Sequence, residues 1–331
     1  MTQHPETTAT NHTYQAGNPA GAAPDNSQTG VNKQPGPAFL VTAMLLLLPP
    51  LFWAGNFIVG RAVRNEIPPV TLSVSRWIIA SIILLPFAWR AVRRDYPLYW
   101  QHRWLILGIS LTGITAFNSL IYLGLQTTQA ANGIILNSFI PLLIVLLGGC
   151  FLGYAVRRVQ IAGMVISFAG VLAIVMRGDL QRLASLNVAH GDLILLSAML
   201  CWAFYTLGLK AVPAAINRTG LLSVQMATGL IFLLPFWGWE LASGQRPVWN
   251  FHSLLSLAYV GVVPSVLAYL LYNACVARLG PARAGLSIHL IPLFGALLSV
   301  LYLGEQIHLY HLLGAVLIFT GIVIASRSTG Q

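Results

Sequence analysis

The chain has 331 residues, 56% of them apolar and 8% charged, against about 25% charged in water-soluble domains. That composition excludes a soluble globular fold, and the length and continuity of the apolar runs favour spanning helices over barrel strands. The net charge of +10 is scattered singly between apolar runs, so it marks membrane topology and offers no nucleic-acid surface.

Residues 1–37 are rich in Thr, Asn, Gln, Gly and Pro without an apolar run, and are expected to form a disordered cytoplasmic tail. Ten apolar runs follow, near 38–60, 70–89, 104–123, 130–151, 158–176, 191–209, 219–239, 253–273, 282–303 and 309–326. Each is long enough to cross a bilayer as a helix, and the connections are too short for a soluble domain. With the N-terminus inside, twelve of the 18 Lys and Arg residues fall on the cytoplasmic side, five fall on the other, and Arg76 lies within a span. Both termini are therefore expected in the cytoplasm of a cell with the chain in its inner (plasma) membrane. Cys150, Cys201 and Cys275 occupy separate runs without CxxC spacing, which indicates neither a disulfide framework nor a metal site.

An internal repeat divides the spans. Trp53-Ala54 returns as Trp202-Ala203, and Leu84-Leu85-Pro86-Phe87 as Leu233-Leu234-Pro235-Phe236, at an offset of 149. Later in each half the offset is 151: Ile140-Pro141-Leu142 returns as Ile291-Pro292-Leu293, and Gly163 and Gly170 return as Gly314 and Gly321. Five spans per half is an odd number, so the second half inserts upside down. The expected fold is an all-α membrane protein of ten transmembrane helices in two inverted five-helix repeats, 38–178 and 190–327, an architecture of secondary transporters.

Within the first span and its repeat, Trp53, Asn56, Trp202 and Tyr205 are candidates for a substrate pathway. Asn118, Tyr122, Asn132 and Asn137 in spans three and four, and Tyr269, Tyr272 and Asn273 in span eight, extend the list. An intramembrane amide or phenol needs a helix neighbour or a water-filled cavity, and aromatic walls with a few amides suit a neutral, zwitterionic or aromatic solute. Packing or interfacial placement is the plainer reading of each. Arg76, well inside span two, is costly to bury; it is expected to pair with Asp192 or Glu305 as a structural or gating ion pair. Pro141 and Pro292 sit at equivalent places in spans four and nine and are read as hinges. His289 suits a proton-coupled step, or else a hydrogen bond between helices. The paired glycines allow close helix packing, with dimer contact as a second reading.

The Trp-Ala pairs, Arg76, the two prolines, Gly191-Asp192, Tyr272-Asn273 before Leu279-Gly280-Pro281, and Leu303-Gly304-Glu305 resemble the EamA family of the drug/metabolite transporter superfamily, over nearly everything but the tail. The resemblance implies an inner-membrane carrier with alternating access, often an exporter of amino acids, other metabolites or drugs. Tyr154 stands where many members carry a glutamate, so that family role does not transfer. Sequence motifs for nucleotide, metal or serine catalysis are missing, so no enzyme activity or cofactor is expected. The expected partners are a small solute, the lipid bilayer and a possible second copy. A channel or facilitator, or a non-transporting scaffold, are the alternatives to a carrier.

Overall fold

Lipid offers the backbone no hydrogen bonds, so a long apolar run there closes its own as a helix. The computed structural model describes residues 37–128, 130–153, 157–179, 190–303 and 306–327. The tail 1–36, Tyr154 and Glu305 lie outside the described residues, as does the Asn132 side chain.

Among the described residues, ten helices are long and apolar enough to cross a membrane, one for each apolar run. They are α1 (Pro37–Ala62), α2 (Pro69–Gln101) and α3 (Arg103–Thr127). Then come α4 in two segments (Ala130–Asn137 and Ile140–Leu152), α5 (Arg158–Val175), α6 (His190–Ala211) and α7 (Arg218–Ala242). The last are α8 (Phe251–Leu279), α9 in two segments (Pro281–Ser287 and Leu290–Leu303) and α10 (Leu309–Arg327).

Helix α2 runs well past the apolar stretch at 70–89. Its 33 residues span about 50 Å at 1.5 Å per residue, against a hydrocarbon core of about 30 Å. Hydropathy ends where water begins, but Arg, Ala and Leu keep the helix going. The extension carries Arg90, Arg93, Arg94 and Asp95, with exposed Tyr96 and Trp100, the mixture that suits a membrane interface.

The helices pair as a two-fold relation between the halves requires. Counterparts α2 and α7 pack together, as do α5 and α10, while α1 against α8 is matched by α6 against α3, and α1 against α9 by α6 against α4. Large apolar side chains turn outward, Phe87 at 82% exposure and Leu309 at 80%, as a lipid-facing surface should.

Two carboxylates that sequence reading left unassigned clamp α2 to α7. Pro68 precedes α2 and offers no capping side chain. Glu240, near the end of α7, supplies the cap, accepting from Val70 N at 2.8 Å, Thr71 N at 2.7 Å and the Thr71 hydroxyl at 2.7 Å. Reciprocally, Asp95 near the end of α2 accepts from Asn217 N at 2.8 Å, and Asn217 caps α7 through Thr219 N and Gly220 N. A negative group at a helix N-terminus also complements the helix dipole.

The repeated glycines face each other across α5 and α10. A Cβ on Gly163 would stand 2.5 Å from Ala325 N and 2.6 Å from Gly321 O; one on Gly170 would stand 2.7 Å from Gly314 O and 2.8 Å from Ile318 N. These faces are used within the chain and are closed to a second copy, which removes the dimer reading of the glycines. Backbone atoms cannot swing aside, so Gly163→Ala or Gly170→Ala is expected to cost about 1–3 kcal/mol by overpacking. Gly108→Ala, whose Cβ meets nothing within 4 Å, is expected to be neutral or stabilising. Thermal unfolding midpoints in detergent will separate the two groups.

Candidate substrate chamber and its polar network

The centre of the bundle is organised by two irregularities at equivalent places. In α3 the turn Leu111–Ala116 is π-helical, and Phe117 N–H bonds to Thr112 O, one residue beyond the α-helical partner. Gly113 O is thereby released and accepts from the Tyr269 hydroxyl at 2.8 Å. In α8 the turn Val263–Leu267 is also π-helical, Ala268 N–H bonds to Val263 O, and the released Pro264 O accepts from the Trp53 indole at 3.2 Å. Pro264 has no N–H to offer Val260 O; the Ser265 hydroxyl donates to it instead at 2.5 Å. Gly113 and Pro264 are 151 residues apart, the repeat offset. A carbonyl freed in each half is thus satisfied by an aromatic side chain of the other.

Arg76 enters this network fully buried. Its Nε donates to the Ser265 hydroxyl at 2.8 Å, and its Nη1 to Asn118 Oδ1 at 2.8 Å and the Tyr122 hydroxyl at 2.5 Å, with Asn56 Oδ1 at 3.4 Å. Asn118 passes the chain on through Nδ2 to the Tyr269 hydroxyl at 2.9 Å, and the Tyr122 hydroxyl donates to Asn56 Oδ1 at 3.1 Å. The guanidinium lies 5.0 Å from the Trp77 ring centroid and 5.8 Å from that of Tyr122.

The anticipated ion pair is corrected by these contacts. Arg76 makes no ion pair with Asp192, which accepts from the Thr128 hydroxyl at the end of α3. Thr128 lies six residues beyond Tyr122, about 9 Å along the helix, so the two charges sit at different depths. Glu305, the other anticipated partner, lies outside the described residues.

The second half repeats the arrangement with its chemistry altered. The Asn56–Tyr122 pair is answered at equivalent positions by Tyr205 donating to Asn273 Oδ1 at 2.8 Å, residue types exchanged. Gln225 stands 149 residues after Arg76, fully buried, with neither amide atom hydrogen-bonded. Gln225, Ser265 and Pro264 were not singled out from sequence; the 149 offset alone points to Gln225.

A cavity of about 20 Å³ lies where the halves meet. Trp53, Asn56, Asn118, Asn137 and Trp202 line it, five of the anticipated pathway residues, with Phe117. Trp53 and Trp202 stand edge to face with centroids 5.1 Å apart. Asn137 Nδ2 has no partner. Tyr122, Tyr205, Tyr269 and Tyr272 form a layer behind the wall; the Tyr272 hydroxyl meets Thr206 at 2.9 Å and the Trp202 indole at 3.3 Å.

Helices α4 and α9 each carry a tightened turn just ahead of the proline, where Phe139 N–H bonds to Leu136 O and His289 N–H to Leu286 O while Phe139 and Ile288 keep helical backbone angles. The α-helix stops at Asn137 and resumes at Ile140, and stops at Ser287 and resumes at Leu290. Pro141 and Pro292 follow these turns and have no N–H to offer the carbonyls four residues earlier, of Asn137 and Ile288, which is where each helix departs from regularity. His289 joins the two turns: its Nε2 donates to Ser138 O at 2.9 Å, and its Nδ1 accepts from the Ser167 hydroxyl at 2.6 Å. Ser138 and His289 are again 151 apart. His289 opens on a separate cavity of about 80 Å³, between Ser138 and the outward-facing Ile161 and Val165, and does not reach the chamber.

Both His289 nitrogens are engaged in hydrogen bonds between helices. His289→Gln is expected to leave the pH profile of transport unchanged and to cost about 1–3 kcal/mol, the penalty for unsatisfied buried groups. Asn118→Leu strips partners from both Arg76 and Tyr269, and is expected to lower the unfolding midpoint more than His289→Gln does.

The EamA-like transporter family model matches residues 40–176 and 189–327, one copy on each half. An uncharacterized transporter of Archaeoglobus fulgidus is 31% identical over 88% of this chain and 99% of its own length. A probable terminal-alkyne amino-acid exporter of Streptantibioticus cattleyicolor is 27% identical over 86% of this chain and 93% of its own length. A solved crystal structure shares the fold with a TM-score of 0.66 at 17% identity, over 88% of this chain and 99% of the other. The chain belongs to the EamA-like transporter family and is a multi-pass membrane transporter of small solutes.

Proposed function

We propose that this chain exports small organic metabolites, amino acids or solutes of similar size and polarity, by alternating access between its inverted halves. The observation that carries this is the chamber at the meeting point of the halves. It is walled by the paired Trp53 and Trp202, edged with three asparagines, and contracted to about 20 Å³, room for about one water. A solute enters such a chamber only when the halves move apart on one side. The tightened turns in α4 and α9 lie beside it, Asn137 at the end of one segment and Ile288 at the other contributing to its wall. Interrupted helices at a central site between inverted repeats are a recurring transporter design. Export is also the activity ascribed to the Streptantibioticus relative, a probable amino-acid exporter. The chain is placed in the inner membrane with both termini cytoplasmic, in accord with its excess of Lys and Arg on that side.

Purified protein in proteoliposomes, preloaded with one amino acid and offered the same labelled amino acid outside, is expected to show saturable counterflow across a panel of neutral and aromatic amino acids. Single-channel currents without saturable exchange would overturn the carrier reading in favour of a channel.

A further inference from the structure

We infer that Arg76 is the receptor for a carboxylate on the transported solute, which makes it the residue that selects carboxylates over amines. This rests on the transporter reading above. A guanidinium carries five N–H donors and cannot shed its charge. One is taken by Ser265 and two by Asn118 and Tyr122, leaving Nη2, buried, with no acceptor. Every acceptor is neutral, and no carboxylate of the described residues pairs with Arg76. The site therefore holds a full positive charge in a low-dielectric interior, steadied by amides, hydroxyls and two aromatic faces, but not neutralised. An anion arriving there gains more than it would in water.

The position of the charge relates it to the chamber. Asn56 and Asn118 are both partners of Nη1 and lining residues of the cavity, so the guanidinium stands one side chain behind the wall. A carboxylate reaching Nη2 finds unclaimed N–H donors there, and exchange of one Nη1 bond, now held by Asn118 or Tyr122, gives it the two parallel N–H bonds that arginine presents. Trp53 and Trp202 then face the apolar part of the solute. The other half offers no rival: Gln225 occupies the equivalent place and is neutral. Among the described residues the chamber thus has one cationic group beside it, on one side of its pseudo-two-fold axis, and a solute bearing only an amine meets an uncompensated like charge.

The test uses the full-length protein in proteoliposomes and three probes that share a phenyl ring: phenylalanine, 3-phenylpropionate and phenylalaninamide. Each competes against labelled phenylalanine counterflow. Wild type is expected to be inhibited by phenylalanine and 3-phenylpropionate at similar concentrations, and by phenylalaninamide only at concentrations at least tenfold higher. Arg76→Lys is expected to keep the order with weaker inhibition, and Arg76→Gln to bring the three probes within about threefold of one another. Equal inhibition of wild type by the amide and the acid overturns the inference while leaving the transporter reading intact, and needs no variant to fold. Absence of flux for labelled phenylalanine and the rest of an amino-acid panel, in folded protein, removes the transporter reading and this inference with it.

Discussion

The absence of water is the constraint on which this structure depends. A backbone carbonyl released inside a bilayer has no solvent to turn to, and leaving it alone costs several kcal/mol. Several irregularities in the bundle accordingly bring an acceptor or donor from elsewhere. The π turns of α3 and α8 release Gly113 O and Pro264 O, and Tyr269 and Trp53 claim them. The tightened turn in α4 exposes Ser138 O, and His289, from the turn in α9, claims that. The start of α2, preceded by proline, is claimed by Glu240 from α7. Polar side chains are scarce in this chain, and the structure places them where helices depart from regularity.

Arg76 shows the same economy applied to charge. Its environment solvates the guanidinium with four neutral acceptors and two rings, enough to hold a cation in place without cancelling it. A carboxylate partner within the protein would have made a stable pair and an inert one. The exchange of Asn56 and Tyr122 for Tyr205 and Asn273, and of Arg76 for Gln225, leaves the scaffold of the two halves alike while their electrostatics differ. The symmetry that permits two alternate openings is thereby kept apart from the asymmetry that distinguishes one solute from another.

The sequence disclosed the ten helices and the two-fold repeat because lipid makes hydropathy a direct report of structure, and because motifs such as Leu-Leu-Pro-Phe return at a fixed offset. It also named most of the central residues, since an asparagine or arginine in an apolar run is conspicuous. What it concealed was their company. Arg76 was matched to a carboxylate by sign and depth, whereas the rotation of α2 turns it toward Asn118, Tyr122 and Ser265. Leu111–Ala116 holds a glycine and three β-branched residues, poor helix formers, but nothing in that composition specifies a widened turn. Pro141 and Pro292 mark the irregular turns, which fall just before each proline because the missing N–H and the ring act on the turn that precedes it. Asp95 and Glu240 lie beyond or at the ends of the apolar stretches, where hydropathy gives a carboxylate no place in the bundle.

The crossed satisfaction of the two π turns also bears on biogenesis. Tyr269, the donor to the Gly113 carbonyl, follows it by more than 150 residues and is made long after α3. The indole of Trp53 likewise waits for Pro264. Until α8 is inserted, neither group has its partner, so the first five helices cannot settle into their final packing on their own. The packing of the amino-terminal half is completed by the carboxy-terminal one.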